Sequence, residues 1–232
     1  MNITGWDIGL VIAVYLYVVI VFLVAEKFLK HRPSLSRKFV HIMVGNMVFF
    51  MPFFTSPSIM VWFITIPATI GVFLLTDYSP IKIPNTVTDS GHALGLFYYT
   101  LIWTILLIIF GVYSNNLWVV ALGIGALVYG DGFASLIGAK FGRIKYTISG
   151  GEKTVAGSLA MFVVVGVMSI FIWAFYQFVV GYPGMPELQT KFGLILLISA
   201  ISTIIEAITP GGFDNISVAG GTAIMFYALT FL

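Results

Sequence analysis

Residues 6–29 read WDIGLVIAVYLYVVIVFLVAEKFL, an apolar run interrupted only by Asp7 near one end and by Glu26 and Lys27 near the other. A hydrocarbon core about 30 Å thick is crossed by about 20 helical residues rising 1.5 Å each, so this stretch is long enough to span a bilayer. No basic region precedes it, which makes it a retained helix rather than a cleaved signal. Working outward, further apolar stretches occupy residues 39–54, 59–75, 93–112, 117–137, 155–180, 192–208 and 218–232. The sequence therefore predicts an all-α, polytopic integral membrane protein with about eight transmembrane helices. Seven is the fallback, because the second, third and last stretches are short for a crossing.

Composition points the same way. Hydrophobic residues make up 59% of the 232-residue chain, charged residues only 9%, and the mean hydropathy is +1.05, whereas soluble domains carry about 25% charged residues. A chain spent mostly on spans has no room for a separate soluble domain, so residues 1–232 are expected to form a single transmembrane domain. The net charge of +2 is too small for a nucleic-acid footprint, and no nucleic-acid partner is expected. With no cysteine, disulfides, thiolate-bound zinc and a thiol nucleophile are excluded.

Orientation follows from the basic residues, which are retained on the cytoplasmic side of short loops. With eight spans, the first loop carries Lys27, Lys30, Arg32, Arg37 and Lys38, the third Lys82, and the fifth Lys140, Arg143, Lys145 and Lys153. Only Lys191 falls in an even loop, which puts both termini outside. Asp77, Asp89, Asp131, Glu152, Glu206 and Asp214 fall in or beside the same cytoplasmic layer. Topology does not require acids there, and carboxylates gathered beside cations suit a metal and phosphate site. Short polar loops are the alternative explanation.

The most informative stretch is residues 129–157, YGDGFASLIGAKFGRIKYTISGGEKTVAG. Asp131 falls where hydrophobicity has not yet ended. A carboxylate at such depth costs roughly 2.5–3.5 kcal/mol unless protein, water or a cation compensates it, so it marks a functional site by default. Gly130, Ala134, Gly138 and Gly142 recur every fourth residue along one helix face, a spacing that by itself means close helix packing. Here the small face leads into Lys140, Arg143 and Lys145, a glycine pair at Gly150 and Gly151, then Lys153 and Thr154. Glycines let backbone amides approach an anion, and cations offset its charge, so the combination suits a polyphosphate. It is not a P-loop: no glycine directly precedes Lys153, and no strand is expected to lead into it.

Three blocks of this chain resemble the CTP-dependent lipid alcohol kinases, the family of dolichol kinase, phytol kinase and the CTP-dependent diacylglycerol kinase. Arg37, Lys38 and His41 in RKFVHI are similar to its basic N-terminal motif. Asp131, Ala134, Gly138 and Gly142, followed by Lys153, Thr154 and Gly157, resemble its nucleotide motif, D-x-x-A-x-x-x-G-x-x-x-G and then K-K-T-x-E-G. Residues 206–215, EAITPGGFDN, resemble its closing E-x-x-T-P-x-x-x-D-N block. Glu152 stands where the family has its first lysine and Ala156 where it has a glutamate, and the spacer before Lys153 is longer.

The resemblance implies transfer of the terminal phosphate of CTP to the hydroxyl of a polyprenol, phytol, geranylgeraniol or dolichol type of lipid alcohol, yielding a monophosphate and CDP. The partners would be CTP, the alcohol and the bilayer, with Mg²⁺ as cofactor and the active site facing the cytoplasm. Phosphoryl transfer needs positioning and charge neutralisation, which carboxylate-held Mg²⁺ and surrounding cations supply. Asp131 is the first candidate for a metal ligand or a base, and Glu206 and Asp214 compete for those roles beside Asn215. Arg37, Lys38, Lys140, Arg143 and Lys153 are phosphate candidates, Lys140 and Arg143 being equally readable as topology anchors. Gly138, Gly142 and Thr154 belong to the expected nucleotide motif. His41, one turn into the second span, would bind a phosphate or relay a proton. His92 belongs to no block. The site is thus expected mainly from residues 30–41, 129–157 and 206–217. Residues 209–212, TPGG, break the seventh helix, and such backbone belongs beside a wet or buried cavity.

Two other classes fit some of these features. A cytidylyltransferase resembling CDP-diacylglycerol synthase also places an Asp before a Gly-rich stretch and a K-K-T-x-E-G block. A transporter would use the acids as an ion path, but they gather at one face rather than along a route across the membrane.

Overall fold

The computed structural model describes residues 2–76, 78–79, 93–148, 151–187 and 191–231. An apolar run in hydrocarbon must satisfy its backbone internally, which makes these runs helices. Among the described residues they are α1 (Gly5–Leu29), α2 (Pro33–Gly45), α3 (Pro57–Leu74), α4 (Leu94–Tyr113), α5 (Leu117–Phe141), α6 (Val155–Val180), α7 (Phe192–Ile208) and α8 (Asp214–Phe231). Of these, α1, α3, α4, α5 and α6 are long and apolar enough to cross a membrane, and α7 is a shorter apolar helix. The chain has the fold of a helical membrane protein.

Local chemistry sets the helix ends. Thr4 and Asp7 form a reciprocal capping box at the start of α1, satisfying amides that have no partner within the helix. Pro33 opens α2 and Pro57 opens α3, where a missing N–H costs nothing. Gly181, at φ 66°, closes α6 in the left-handed region. The second apolar stretch is not one continuous helix. Beyond Gly45 it tightens into 3-10 turns at Asn46–Phe49 and Met51–Phe53 around Pro52.

One departure from an all-helical chain lies between α5 and α6. There β1 (Lys145–Ile148) pairs antiparallel with β2 (Gly151–Thr154), Lys145 opposite Thr154 and Ile148 opposite Gly151. A strand therefore does carry Lys153, contrary to the expectation from sequence. The reason is local: in the sequence Lys-Tyr-Thr-Ile and Glu-Lys-Thr flank Ser-Gly-Gly, and β-branched residues around a glycine pair favour a hairpin over continued helix.

At the centre stands α5, every residue of which is buried from Leu117 to Gly132. Helices α4, α6 and α8 pack around it, and α7 packs on α6 and α8. By contrast α1 is peripheral. It packs on α2 and turns Ile12, Leu16, Val19, Phe22 and Leu23 outward, as a helix facing acyl chains does.

Hydrogen bonds between helix ends define two poles. At one, Asp7 accepts from the Thr55 amide at 2.9 Å and its hydroxyl at 2.8 Å, and Trp6 Nε1 donates to the Phe53 carbonyl at 2.9 Å. Tyr182 joins Asn115 to Leu117 there, and Lys191 donates to the Thr230 carbonyl. At the opposite pole lie the starts of α2, α6 and α8, the ends of α5 and α7, and the hairpin.

Candidate active site

Five separated segments bring their charged side chains together at that second pole. Lys38 of α2 reaches Asp131 of α5, Nζ to Oδ2 at 2.8 Å, with side chains only 15% and 13% exposed. Lys153 of β2 is ion-paired with Glu206 in the last turn of α7, and the carboxylate is almost enclosed. Asp131 lies within electrostatic reach of Lys153, and Asp214 within reach of Asp131, Lys153 and Lys38. A buried carboxylate without a partner would be expensive, so each lysine offsets a real desolvation penalty.

Specific backbone features position these groups. The π-helical turn Ala126–Asp131 ends on Asp131. Such a turn inserts one extra residue into an α-helix and re-aims the side chains beyond it, a device common at functional sites. In the hairpin, alternation of side chains sends neighbours to opposite faces: exposed Glu152 pairs outward with Lys145 at 2.9 Å, and Lys153 points inward to Glu206. The hairpin is held to the bundle by the Val155 amide on the Ile144 carbonyl at 3.0 Å and by Tyr146 on Ser158. At Lys153 burial works against the charge. The hydrogen bond that Lys153 donates to Glu206 and the charges of Glu206, Asp214 and Asp131 outweigh it, and they raise the pKa above the ordinary lysine value.

The turn after α7 places Asp214. The helix stops at Ile208, Pro210 cannot continue it, and Gly212 takes φ 96°, a conformation that strains other residues. Asp214 Oδ1 then accepts from the Gly212 amide at 3.1 Å and the Asn215 amide at 3.0 Å. Asn215 is occupied structurally, donating to the Gly95 carbonyl at 3.1 Å and so tying α8 to α4.

Other expected residues sit differently. A Cβ on Gly142 would stand 2.3 Å from the Gly138 carbonyl and 2.5 Å from Thr154 Cγ2, and one on Gly138 would stand 2.8 Å from Thr154 Oγ1. Their open side is therefore filled by protein, and the small face serves the close approach of α5 to the start of α6. Thr154 caps α6, its hydroxyl accepting from the Gly157 amide at 3.1 Å. Lys140 lies over the Phe141 ring at 5.2 Å, and Lys140, Arg143 and Arg37 are exposed. His41 stands one turn beyond Lys38 on α2, its ring 4.6 Å from that of Tyr99. Tyr99 is silent in the sequence, because one more aromatic in an apolar run carries no signal. Asp77, Lys82, Asp89, His92 and Gly150 lie outside the described residues.

For a metal, the donors Asp131, Glu206, Asp214 and Asn215 are hard oxygens suited to Mg²⁺. Among the described residues no group of three or more His, Asp or Glu side chains is gathered closely enough to hold an ion. A nucleotide-borne Mg²⁺ needs only one or two protein carboxylates, the phosphates and water supplying the rest, so the donor set fits that mode.

The chain is 29% identical over 214 residues to a phytol kinase of Synechocystis sp., covering 86% of this chain and 81% of the relative. It is 31% identical over 210 residues to a probable chloroplastic phytol kinase of Triticum aestivum, covering 84% and 67%. The chain belongs to the phytol kinase family. Phytol kinase 1 of Arabidopsis thaliana is 30% identical over 206 residues. This is the lipid alcohol kinase family that the three sequence blocks resemble, and the likeness runs over most of the chain rather than over one motif. No protein-family model and no solved structure matches the chain.

Proposed function

We propose that this protein is a CTP-dependent kinase that phosphorylates the hydroxyl of a membrane lipid alcohol, phytol or a related polyprenol, to the monophosphate with release of CDP. The observation that carries the reading is the meeting of two lysine–carboxylate pairs, Lys38 with Asp131 and Lys153 with Glu206, at one pole of a membrane bundle from the phytol kinase family. Relatives named as kinases favour phosphoryl transfer over cytidylyl transfer. The one-sided gathering of charge disfavours an ion path.

In this reading Lys38 and Lys153 turn from their carboxylates to the phosphates of CTP, and offset the charge that spreads over the transferred group. Asp131 and Glu206, released from the lysines, would hold Mg²⁺ with Asp214 and Asn215 at the margin. The ion would supply further charge neutralisation and link the phosphates to the protein. Arg37, Lys140 and Arg143, exposed near the start of α2 and the end of α5, would attract an anionic nucleotide. Eight crossings, with both termini outside and the site at the cytoplasmic surface, agree with the distribution of Lys and Arg.

Purified protein in nanodiscs, supplied with CTP or ATP and a panel of phytol, geranylgeraniol, dolichol and diacylglycerol, tests the reading. CDP and a lipid monophosphate are the expected products, with CTP preferred. Pyrophosphate and a cytidylylated lipid would overturn it.

A further inference from the structure

His41 of α2 lies on the same helix face as Lys38 and three residues deeper into the bundle, about 4.5 Å along the axis. The Lys38–Asp131 pair thus stands between it and the polar pole. Its imidazole is flanked by the Tyr99 ring at 4.6 Å, and the Tyr99 hydroxyl donates to the backbone carbonyl of His41 at 3.3 Å. The carbonyl of Leu127, inside the π-helical turn that ends on Asp131, stands beside the imidazole as well. The ring is held in place on two sides. Its Nε2 atom is nonetheless buried and has no hydrogen-bond partner among the described residues, while Asp131 and Lys38 lie within electrostatic reach.

A buried polar atom without a partner calls for an explanation, since almost all such atoms in native proteins are paired. A phosphate is a poor candidate. An anion would have to pass the Lys38–Asp131 pair into the apolar interior, whereas the lysine ammonium groups meet it sooner. A lipid alcohol arrives from the other direction, with its chain in hydrocarbon and its single polar group seeking a partner at this depth.

We propose that His41 Nε2 is the hydrogen-bond acceptor for the hydroxyl of the lipid alcohol, and that the acceptor site lies on the membrane side of the Lys38–Asp131 pair. This rests on the kinase reading above and assigns His41 to the alcohol rather than to the nucleotide. The hydroxyl donates to Nε2, and its oxygen is thereby held close beneath Asp131. Tyr99 acts through His41 as a positioning residue.

The test compares wild type, His41→Ala and His41→Gln in nanodiscs, each first checked for thermal unfolding. With phytol and CTP, kcat/KM for phytol is expected to fall about tenfold or more in His41→Ala, while the dissociation constant of a non-hydrolysable CTP analogue stays within about twofold. Phytyl methyl ether, which has no hydroxyl proton to donate, supplies the second measurement as a competitive ligand. It should bind wild type more weakly than phytol does, and bind His41→Ala no differently from phytol. Should His41→Ala not fold, His41→Gln is read by the same two measurements. A matching loss of CTP-analogue affinity would make His41 a nucleotide ligand, and unchanged phytol kinetics would make it a packing residue; either overturns the proposal. A wild-type protein that phosphorylates no alcohol would instead overturn the kinase reading itself.

Discussion

Lys153 and Glu206, 53 residues apart in the chain, are joined in an ion pair that fastens the hairpin to the last turn of α7. Removing one partner strands the other in a poorly solvated place, which costs about 3–5 kcal/mol for a buried pair. Lys153→Ala is therefore expected to lower thermal stability and also to raise the CTP concentration needed for half-maximal turnover. The double variant Lys153→Ala with Glu206→Gln should recover much of the stability and none of the nucleotide response. Unfolding curves and CTP titrations of wild type and the two variants separate the two effects.

Asp131→Asn keeps the size of the side chain and removes its charge. Turnover is expected to vanish while membrane insertion and the elution profile in detergent remain those of wild type. Retained turnover would exclude Asp131 from the site. Lys38→Met, which leaves the Asp131 carboxylate buried without its cation, should destabilise the protein more than Asp131→Asn does.

Gly142→Ala tests close packing. The added methyl group would stand 2.5 Å from Thr154 Cγ2 and 2.3 Å from a backbone carbonyl that has little room to move. A loss of about 1–3 kcal/mol is expected, as for other overpacked sites. Gly151→Ala, whose methyl group would meet Lys153 Cε at an ordinary 3.9 Å, should leave the unfolding temperature near that of wild type.

Asp7→Ala probes the opposite pole. Its carboxylate satisfies the Thr4 and Thr55 amides and hydroxyls together, so its loss removes a helix cap and a tie between α1 and the 3-10 region. About 2 kcal/mol of stability should go. With the charged cluster at the other pole, KM for CTP and for the alcohol should not change.

The bilayer makes most of the fold legible, because a hydrocarbon solvent imposes length and apolarity on every crossing. Even so, α2 begins at Pro33 rather than at residue 39, since its first turn is polar and hydropathy alone passes over it. Likewise α8 starts at Asp214, four residues ahead of the apolar run. The hairpin has a signal of its own in KYTI, Ser-Gly-Gly and EKT, but the overwhelmingly helical sequence around it masks that signal. At the site, Asp131 stands out as a carboxylate in an apolar context. Its partner does not, because nothing local tells that Lys38, 93 residues earlier, is the cation facing it. The four-residue spacing of Gly138 and Gly142 by itself reads as a packing seam, and only the cations and glycines after it suggest a phosphate. The position of Thr154 against both glycines fits the packing reading.

Lys38 and Lys153 each hold a carboxylate, so on the function proposed above CTP would enter by displacement. Its apparent affinity is then a difference between two sets of ionic contacts. Weakening the resident one, as Glu206→Gln would, should tighten the grip on the metal-free triphosphate even while it slows turnover. A tighter but slower enzyme is the signature of a site that serves as its own counter-ion when empty.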